Sequence, residues 1–228
     1  MTLKALIFDV DGTLAETEEA HRQAFNQAFA EFGLPWTWDR ELYRRLLRIS
    51  GGRERMTAHA RDLGSTVADD LLRALHKRKT ELYTGRVAAG EVPLRPGVER
   101  LLAEARAAGL LLAIATTTSR ANVDALLDGT TGGRGHAWFA TIACAEDAPV
   151  KKPDPAVYTL VVGRLGLRPD ECLALEDSSN GVRAASAAGV PVVVSESVYT
   201  AGDDFSGALA VYPDFEGVGR AELVKLVG

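Results

Sequence analysis

The stretch Leu3-Lys4-Ala5-Leu6-Ile7-Phe8-Asp9-Val10-Asp11-Gly12-Thr13-Leu14 decides how this chain is read. An apolar run of strand length stops at two aspartates placed two residues apart. Gly12 follows, able to take backbone angles closed to other residues. Side chains at i and i+2 of an extended segment share a face, roughly 6–7 Å apart. Both carboxylates can therefore address one reacting group at the strand's C-terminal end, where ligands sit in open α/β sheets. A polar turn closing a buried strand is the plainer alternative. A calcium loop fits less well, because the EF-hand spacing wants its glycine sixth and Gly12 is fourth counted from Asp9. The pair suits a hard cation and a phosphoryl group, one Asp attacking phosphorus while the other moves a proton.

Working outward, the rhythm after Glu16 turns helical. Ala20, Ala24, Phe25, Ala28, Phe29 and Phe32 mark one apolar stripe, and Gly33-Leu34-Pro35 ends it. Helical segments continue to about Arg86 without a convincing buried strand, and Gly85, Gly90, Pro93 and Pro96 form a return linker. From Gly97 helices and strands alternate. Strands are expected at 110–115, 141–144, 172–175, 191–194 and 209–212, with helices at 97–108, after Thr118-Ser119, from Pro153 or Pro155, and up to Gly189. Alternation of this kind predicts an α/β fold, a Rossmann-like parallel sheet with helices on both faces. Residues 1–15 and 90–228 are expected to form this core, and 16–89 an inserted all-helical cap.

Each chemically loaded cluster falls at the C-terminal end of an expected strand. Thr116 can offer its hydroxyl and nearby backbone N–H groups to phosphate oxygens, or simply cap a helix. Lys152 can neutralise a phosphate beside an aspartate, or be a solvated lysine, and adjacent Lys151 leaves open which of the two points inward. Glu176-Asp177 closes an apolar strand, and ionised groups so placed need a partner. Mg²⁺, a hard ion held by carboxylates beside a phosphate, suits them; a helix cap by Asp177 is the alternative. In the helical block, Gly51-Gly52-Arg53-Glu54-Arg55 sets two guanidinium groups, suited to bidentate phosphate recognition, beside backbone freed by glycine. His76 and Lys79 share a helix face, as do Glu18 and His21, which could hold sugar hydroxyls; solvated helix faces are the alternatives.

Asp9-Val10-Asp11-Gly12-Thr13 resembles the first motif of the haloacid dehalogenase superfamily of phosphotransferases. That resemblance implies Asp9 as nucleophile and metal ligand, and Asp11 as acid/base that also binds metal through its backbone carbonyl. It carries the second motif's hydroxyl onto Thr116, the third motif's lysine onto Lys152 and the fourth motif's acids onto Glu176 and Asp177. More narrowly, Phe8 to Glu18, Ala115-Thr116-Thr117-Thr118-Ser119 and Leu173 to Gly181 are similar to the CbbY sugar-phosphate phosphatases. This implies a xylulose 1,5-bisphosphate-like substrate and cap contacts from Glu18, His21, Gly51 to Arg55, and His76 to Lys79, with Thr117 and Thr118 beside them. Arg53, with Arg55 or Lys79, is expected to grip the phosphate that is not cleaved. A β-phosphoglucomutase-type mutase is the enzymatic alternative. A phospho-aspartate receiver module is the alternative of another class, and the long helical insertion argues against it.

Bulk composition agrees. A chain of 228 residues with 46% hydrophobic content can bury a substantial core, and no apolar run is of membrane-spanning length. Net charge is −5, so no general attraction to nucleic acid or anionic lipid is expected. Cys144 and Cys172 are too few for a disulfide framework and read as buried thiols. The expected partner is a small sugar phosphate, and the chain is expected to be cytoplasmic and a monomer or weak oligomer.

Overall fold

A computed structural model of the chain describes residues 2–148 and 150–228. Its centre is β1 (Ala5–Phe8), whose four apolar side chains are all buried. Full burial of a side chain such as Ile7 is worth about 1.5–3 kcal/mol. A run apolar on both faces belongs in the middle of a parallel sheet. Around it, β2 (Leu111–Ala115), β3 (Thr141–Ala143), β4 (Cys172–Glu176), β5 (Val192–Ser195) and β6 (Ala210–Tyr212) complete a parallel sheet in the order β3-β2-β1-β4-β5-β6. The chain fills the sheet outward from β1 on one side, then returns to β4 and fills the other. The strand order therefore reverses at the C-terminal ends of β1 and β4, and a crevice opens there.

The period-2 alternation of the strands divides the core into two layers. Leu6, Phe8, Leu173 and Leu175 face one cluster, with Leu101 and Leu102 of α5 (Val98–Ala107), Val123 and Leu126 of α6 (Arg120–Thr131) and Leu223 of α9 (Arg220–Val227). Ala5, Ile7, Cys172 and Ala174 face the other, with Val157 and Val161 of α7 (Ala156–Leu165) and Val182 and Ala185 of α8 (Ser179–Ala187). Both cysteines are free and buried, as expected.

Four helices, α1 (Glu18–Glu31), α2 (Arg40–Leu46), α3 (Gly52–Asp62) and α4 (Asp69–Ala88), intervene between β1 and α5. They enclose their own aromatic cluster, including Phe25, Phe29, Trp36, Trp38 and Tyr43. The outgoing and returning chains run side by side, with Ala15 bridged to Leu94 and Arg95 N–H donating to Leu14 O at 2.9 Å. Phe32, expected on the buried stripe of α1, is 40% exposed because the helix ends at Glu31 and Phe32 sits on its cap. The C-terminal helix α9 lies beyond the last element expected from the sequence.

Candidate active site

The Asp9 carboxylate leaves the end of β1 and is buried. Lys152 Nζ lies 2.6 Å from Asp9 Oδ1 and 2.6 Å from Glu176 Oε1, and donates to Ala115 O at 2.8 Å. One ammonium thus joins the ends of β1, β2 and β4. Lys152 is only 4% exposed. Lys151 turns the other way, onto Glu54 Oε1 of α3 at 2.6 Å. The ambiguity between the two lysines is resolved by their partners. Burial pushes the Asp9 carboxyl up against the pull of Lys152, while Asp9 and Glu176 overcome burial to hold the Lys152 ammonium well above its ordinary range. A doubly hydrogen-bonded ammonium keeps its proton between two carboxylates.

Glu176 is fully buried, and Oε1 also accepts from the Tyr158 hydroxyl at 2.6 Å. Asp177 is not a helix cap: Ser178 caps α8, its side chain accepting from Gly181 N–H at 3.1 Å. Asp9, Glu176 and Asp177 offer carboxylate oxygens that all lie within 4.8 Å of one another. Burial, with Asp9 and Glu176 nearby, pushes the Asp177 carboxyl well above its usual range. Three buried carboxylates against one ammonium leave negative charge uncompensated. An all-oxygen donor set of this kind fits Mg²⁺.

Two glycines make this crowding possible. A Cβ on Gly12, whose φ is +85°, would overlap the Asp177 carboxylate; one on Gly181 would overlap that of Glu176.

Asp11 points elsewhere. Its Oδ1 accepts from the Thr17 hydroxyl at 2.5 Å and lies 3.1 Å from His21 Nε2. On the far side of the ring, Lys79 Nζ is 2.8 Å from Nδ1. The ammonium can only donate, so Nδ1 accepts and Nε2 carries the hydrogen given to Asp11. Burial would raise the Asp11 carboxyl, but His21 and Thr17 outweigh it and hold it well below its usual range. Burial and Lys79 also lower His21, so near neutrality the imidazole acts on Asp11 as a hydrogen-bond donor rather than as a charge. Burial brings Lys79 down to about 8. Asp11's side chain is outside the trio of candidate metal ligands, which leaves only its backbone carbonyl for the metal role implied by the resemblance.

Thr116 follows β2 and is 2% exposed, its hydroxyl accepting from Thr118 N–H at 3.2 Å. It does not open or cap a helix: Ser119 caps α6, accepting from Asn122 N–H. The cleft between sheet and inserted helices has two lobes meeting at Asp11, Glu18, Arg55 and Thr117. One, of about 340 Å³, holds Asp9, Thr116, Lys152 and Asp177. The other, of about 260 Å³, holds His21, Gly51, Gly52, His76, Lys79 and Thr118.

Of the expected cap residues, Arg53 and Glu54 are exposed and line neither lobe, because α3 turns them outward. Arg55 faces the cleft, and Glu54 is engaged by Lys151. Gly51 has φ +99° and Gly52 abuts Phe25 and His76 so closely that a Cβ would stand 2.9 Å from Phe25 Cζ. Burial, Lys79 and Lys151 push His76 down to about 4, so it is neutral.

Sequence reasoning passed over Thr17, Tyr43 and Tyr158. Thr17 and His21, four residues apart, gave a local signal. The two tyrosines gave none, since their partners are distant in the chain.

The chain matches the family model described as haloacid dehalogenase-like hydrolase over residues 3–189. It is 52% identical to Protein CbbY of Rhodobacter capsulatus over 226 residues, covering 99% of this chain and 100% of that one. Its structure resembles CbbY from Rhodobacter sphaeroides in complex with phosphate, with a TM-score of 0.93 and 44% identity, covering 97% and 99% of the two chains. An Asp-to-Asn variant of that protein in complex with xylulose 1,5-bisphosphate gives the same TM-score, identity and coverage.

Proposed function

The chain belongs to the haloacid dehalogenase-like hydrolases, and from that premise we propose that it is a Mg²⁺-dependent phosphatase of sugar bisphosphates, xylulose 1,5-bisphosphate above all, working through an aspartyl-phosphate. Residues 16–89 serve as a cap over the core formed by 1–15 and 90–228. The observation that carries the reading is the double ion pair of Lys152 with Asp9 and Glu176 at the end of β1, with Asp177 beside it. It is the arrangement a transferring phosphoryl group requires: a nucleophile under a fixed positive charge.

Asp9 attacks phosphorus, the ester P–O bond breaks, and the departing alkoxide takes a proton from Asp11. Asp11 is ionised in the free enzyme and takes that proton up from solvent as the dianionic substrate binds beside it. Asp11 then takes a proton from water, which attacks phosphorus, frees inorganic phosphate and restores the Asp9 carboxylate. Lys152 and Thr116 hold the phosphoryl oxygens. Asp9, Glu176 and Asp177 would hold Mg²⁺, which would supply charge neutralisation for the transferring phosphoryl group. Arg55 and Lys79 receive the second phosphate, and Glu18 the sugar hydroxyls; the support is that all three line the cleft. With free cysteines and no described helix long and apolar enough to cross a membrane, a cytoplasmic setting fits the same reading.

The test is phosphate release from xylulose 1,5-bisphosphate with and without Mg²⁺, in the wild type and in Asp9→Asn. Turnover requiring both Mg²⁺ and Asp9 is expected. Undiminished turnover in Asp9→Asn would remove Asp9 as nucleophile, and isomerised sugar phosphate without free phosphate would make the enzyme a mutase.

A further inference from the structure

Tyr43 is wholly buried and lines neither lobe of the cleft, so it cannot touch a substrate. Its hydroxyl nevertheless donates to Glu18 Oε2 at 2.6 Å and accepts from Arg55 Nη1 at 3.4 Å. The Arg55 guanidinium carbon also stands 5.8 Å from the Tyr43 ring centroid. Glu18 and Arg55 both line both lobes, at the place where the lobes join. Thus one phenol on α2 ties a carboxylate on α1 to a guanidinium on α3.

We infer that Tyr43 is a positioning residue for the sugar-binding arm of the cleft: it fixes the direction in which Glu18 and Arg55 present their charges, and so sets affinity for a polyol phosphate it never contacts. The inference rests on the proposed role of Glu18 at the sugar hydroxyls. A glutamate facing a cavity has three rotatable side-chain bonds, and ordering it on binding costs affinity. Tethering Oε2 removes that freedom beforehand and leaves Oε1 to receive a hydroxyl. The tether is itself rigid, since the Tyr43 ring is wedged among Trp38 at 5.8 Å, Phe25 at 6.3 Å and Tyr199 at 5.6 Å between centroids. Tyr199 comes from the core side, and its hydroxyl bonds Glu19, the neighbour of Glu18. The start of α1 is therefore pinned by tyrosines from both sides of the cleft. Burial, with Glu18 nearby, drives the Tyr43 hydroxyl well above its usual pKa, which keeps it a donor at every working pH.

The experiment compares Tyr43→Phe, which keeps the ring and removes one oxygen, with Glu18→Gln and the double variant. The substrates are xylulose 1,5-bisphosphate and p-nitrophenyl phosphate, which has no hydroxylated arm. Tyr43→Phe is expected to raise KM for the bisphosphate about tenfold, as loss of a hydrogen bond to a charged group implies, with kcat changed much less. Its loss in kcat/KM on p-nitrophenyl phosphate should be smaller by a similar factor. The double variant should be no worse than Glu18→Gln alone, since the two residues act as one unit. Equal losses on both substrates would show that Tyr43 only supports the fold, and additive losses that it acts independently of Glu18; either overturns the inference. An inert Glu18→Gln, with turnover still dependent on Asp9, would overturn the inference through the Glu18 assignment while leaving the phosphatase reading intact.

Discussion

Lys79 and Asp11 grip opposite edges of one imidazole: Lys79 Nζ lies 2.8 Å from His21 Nδ1, and His21 Nε2 lies 3.1 Å from Asp11 Oδ1. The chain of contacts runs from α4 through α1 to the turn after β1, so the proposed acid/base is oriented by helices of the insertion. The position of those helices and the orientation of Asp11 are therefore coupled by geometry.

Lys79 makes this relay sensitive to alkali. Burial holds it at about 8 against an ordinary value of 10.5. Above pH 8 the free enzyme loses this positive charge, so kcat/KM for a bisphosphate should fall, about tenfold per pH unit if the charge is required. Stability moves the opposite way. Between 8 and 10.5 the unfolded chain binds more protons at this lysine than the folded one, so the Lys79 contribution to unfolding free energy rises with pH across that window. A pH–rate profile of Lys79→Met, lacking the alkaline limb near 8, checks the assignment.

Metal binding should be visible without turnover. Asp9, Glu176 and Asp177 are buried together, and Asp177 is pushed up chiefly by burial and then by the other two. A cation bound at 100 times its Kd adds about 2.7 kcal/mol, or a rise in Tm of roughly 5–10 °C for a chain of this size. Chelation should reverse the shift and stop phosphate release. Asp177→Asn removes one of the crowded charges, so its metal-free Tm should not fall, while its response to Mg²⁺ should be lost. A full Mg²⁺ shift in that variant would place the ion elsewhere.

Gly181 and Gly85 predict opposite outcomes for the same substitution. A methyl group on Gly181 would overlap the Glu176 carboxylate, whereas Gly85, exposed within α4, has nothing within 4 Å of a Cβ. Gly181→Ala should weaken Mg²⁺ binding and cut kcat by tenfold or more as Glu176 is displaced from Lys152. Gly85→Ala should leave kinetics alone and raise stability by about 0.5–1 kcal/mol. Calorimetry and a Mg²⁺ titration of the two variants separate these effects.

The extent of what could be read in advance follows the range of the interactions. Phe8-Asp9 and Leu175-Glu176-Asp177 were legible because a buried strand and the polar residues at its end are adjacent in sequence. The parallel sheet followed from alternation, and the strand ends agree with it to within two residues. The sequence puts Arg53 first for the second phosphate, whereas Arg55 is the one that lines the cleft, because the side of α3 that faces it is set by how that helix lies against its neighbours. Tyr43 and Tyr158 were silent for the same reason: their partners Glu18 and Glu176 stand 25 and 18 residues away. His21 was singled out as a sugar contact, yet its nearest polar partners are Asp11 and Lys79.

Lys151 and Lys152 show most sharply how neighbours diverge. Lys152 is 4% exposed and holds two buried carboxylates, so Lys152→Ala leaves both without their shared counter-charge. Breaking a buried pair in this way costs about 3–5 kcal/mol of stability, and losing a donor to the phosphoryl oxygens costs about 10²–10³ in kcat. Added Mg²⁺ should recover part of the stability, because it neutralises the same carboxylates, but not the rate. The Lys151–Glu54 pair spans from the core to α3 with side chains 28% and 47% exposed. A pair so solvated is worth at most about 1 kcal/mol and less as salt rises. Lys151→Ala should therefore barely move the denaturation midpoint, and its smaller kinetic effect should shrink in high salt, as expected of a solvated contact between the core and α3. Measured side by side in urea and in phosphate-release assays, the two variants should differ by at least tenfold in kcat. If Lys151→Ala proved the more damaging, the ammonium facing Asp9 would have been assigned to the wrong lysine.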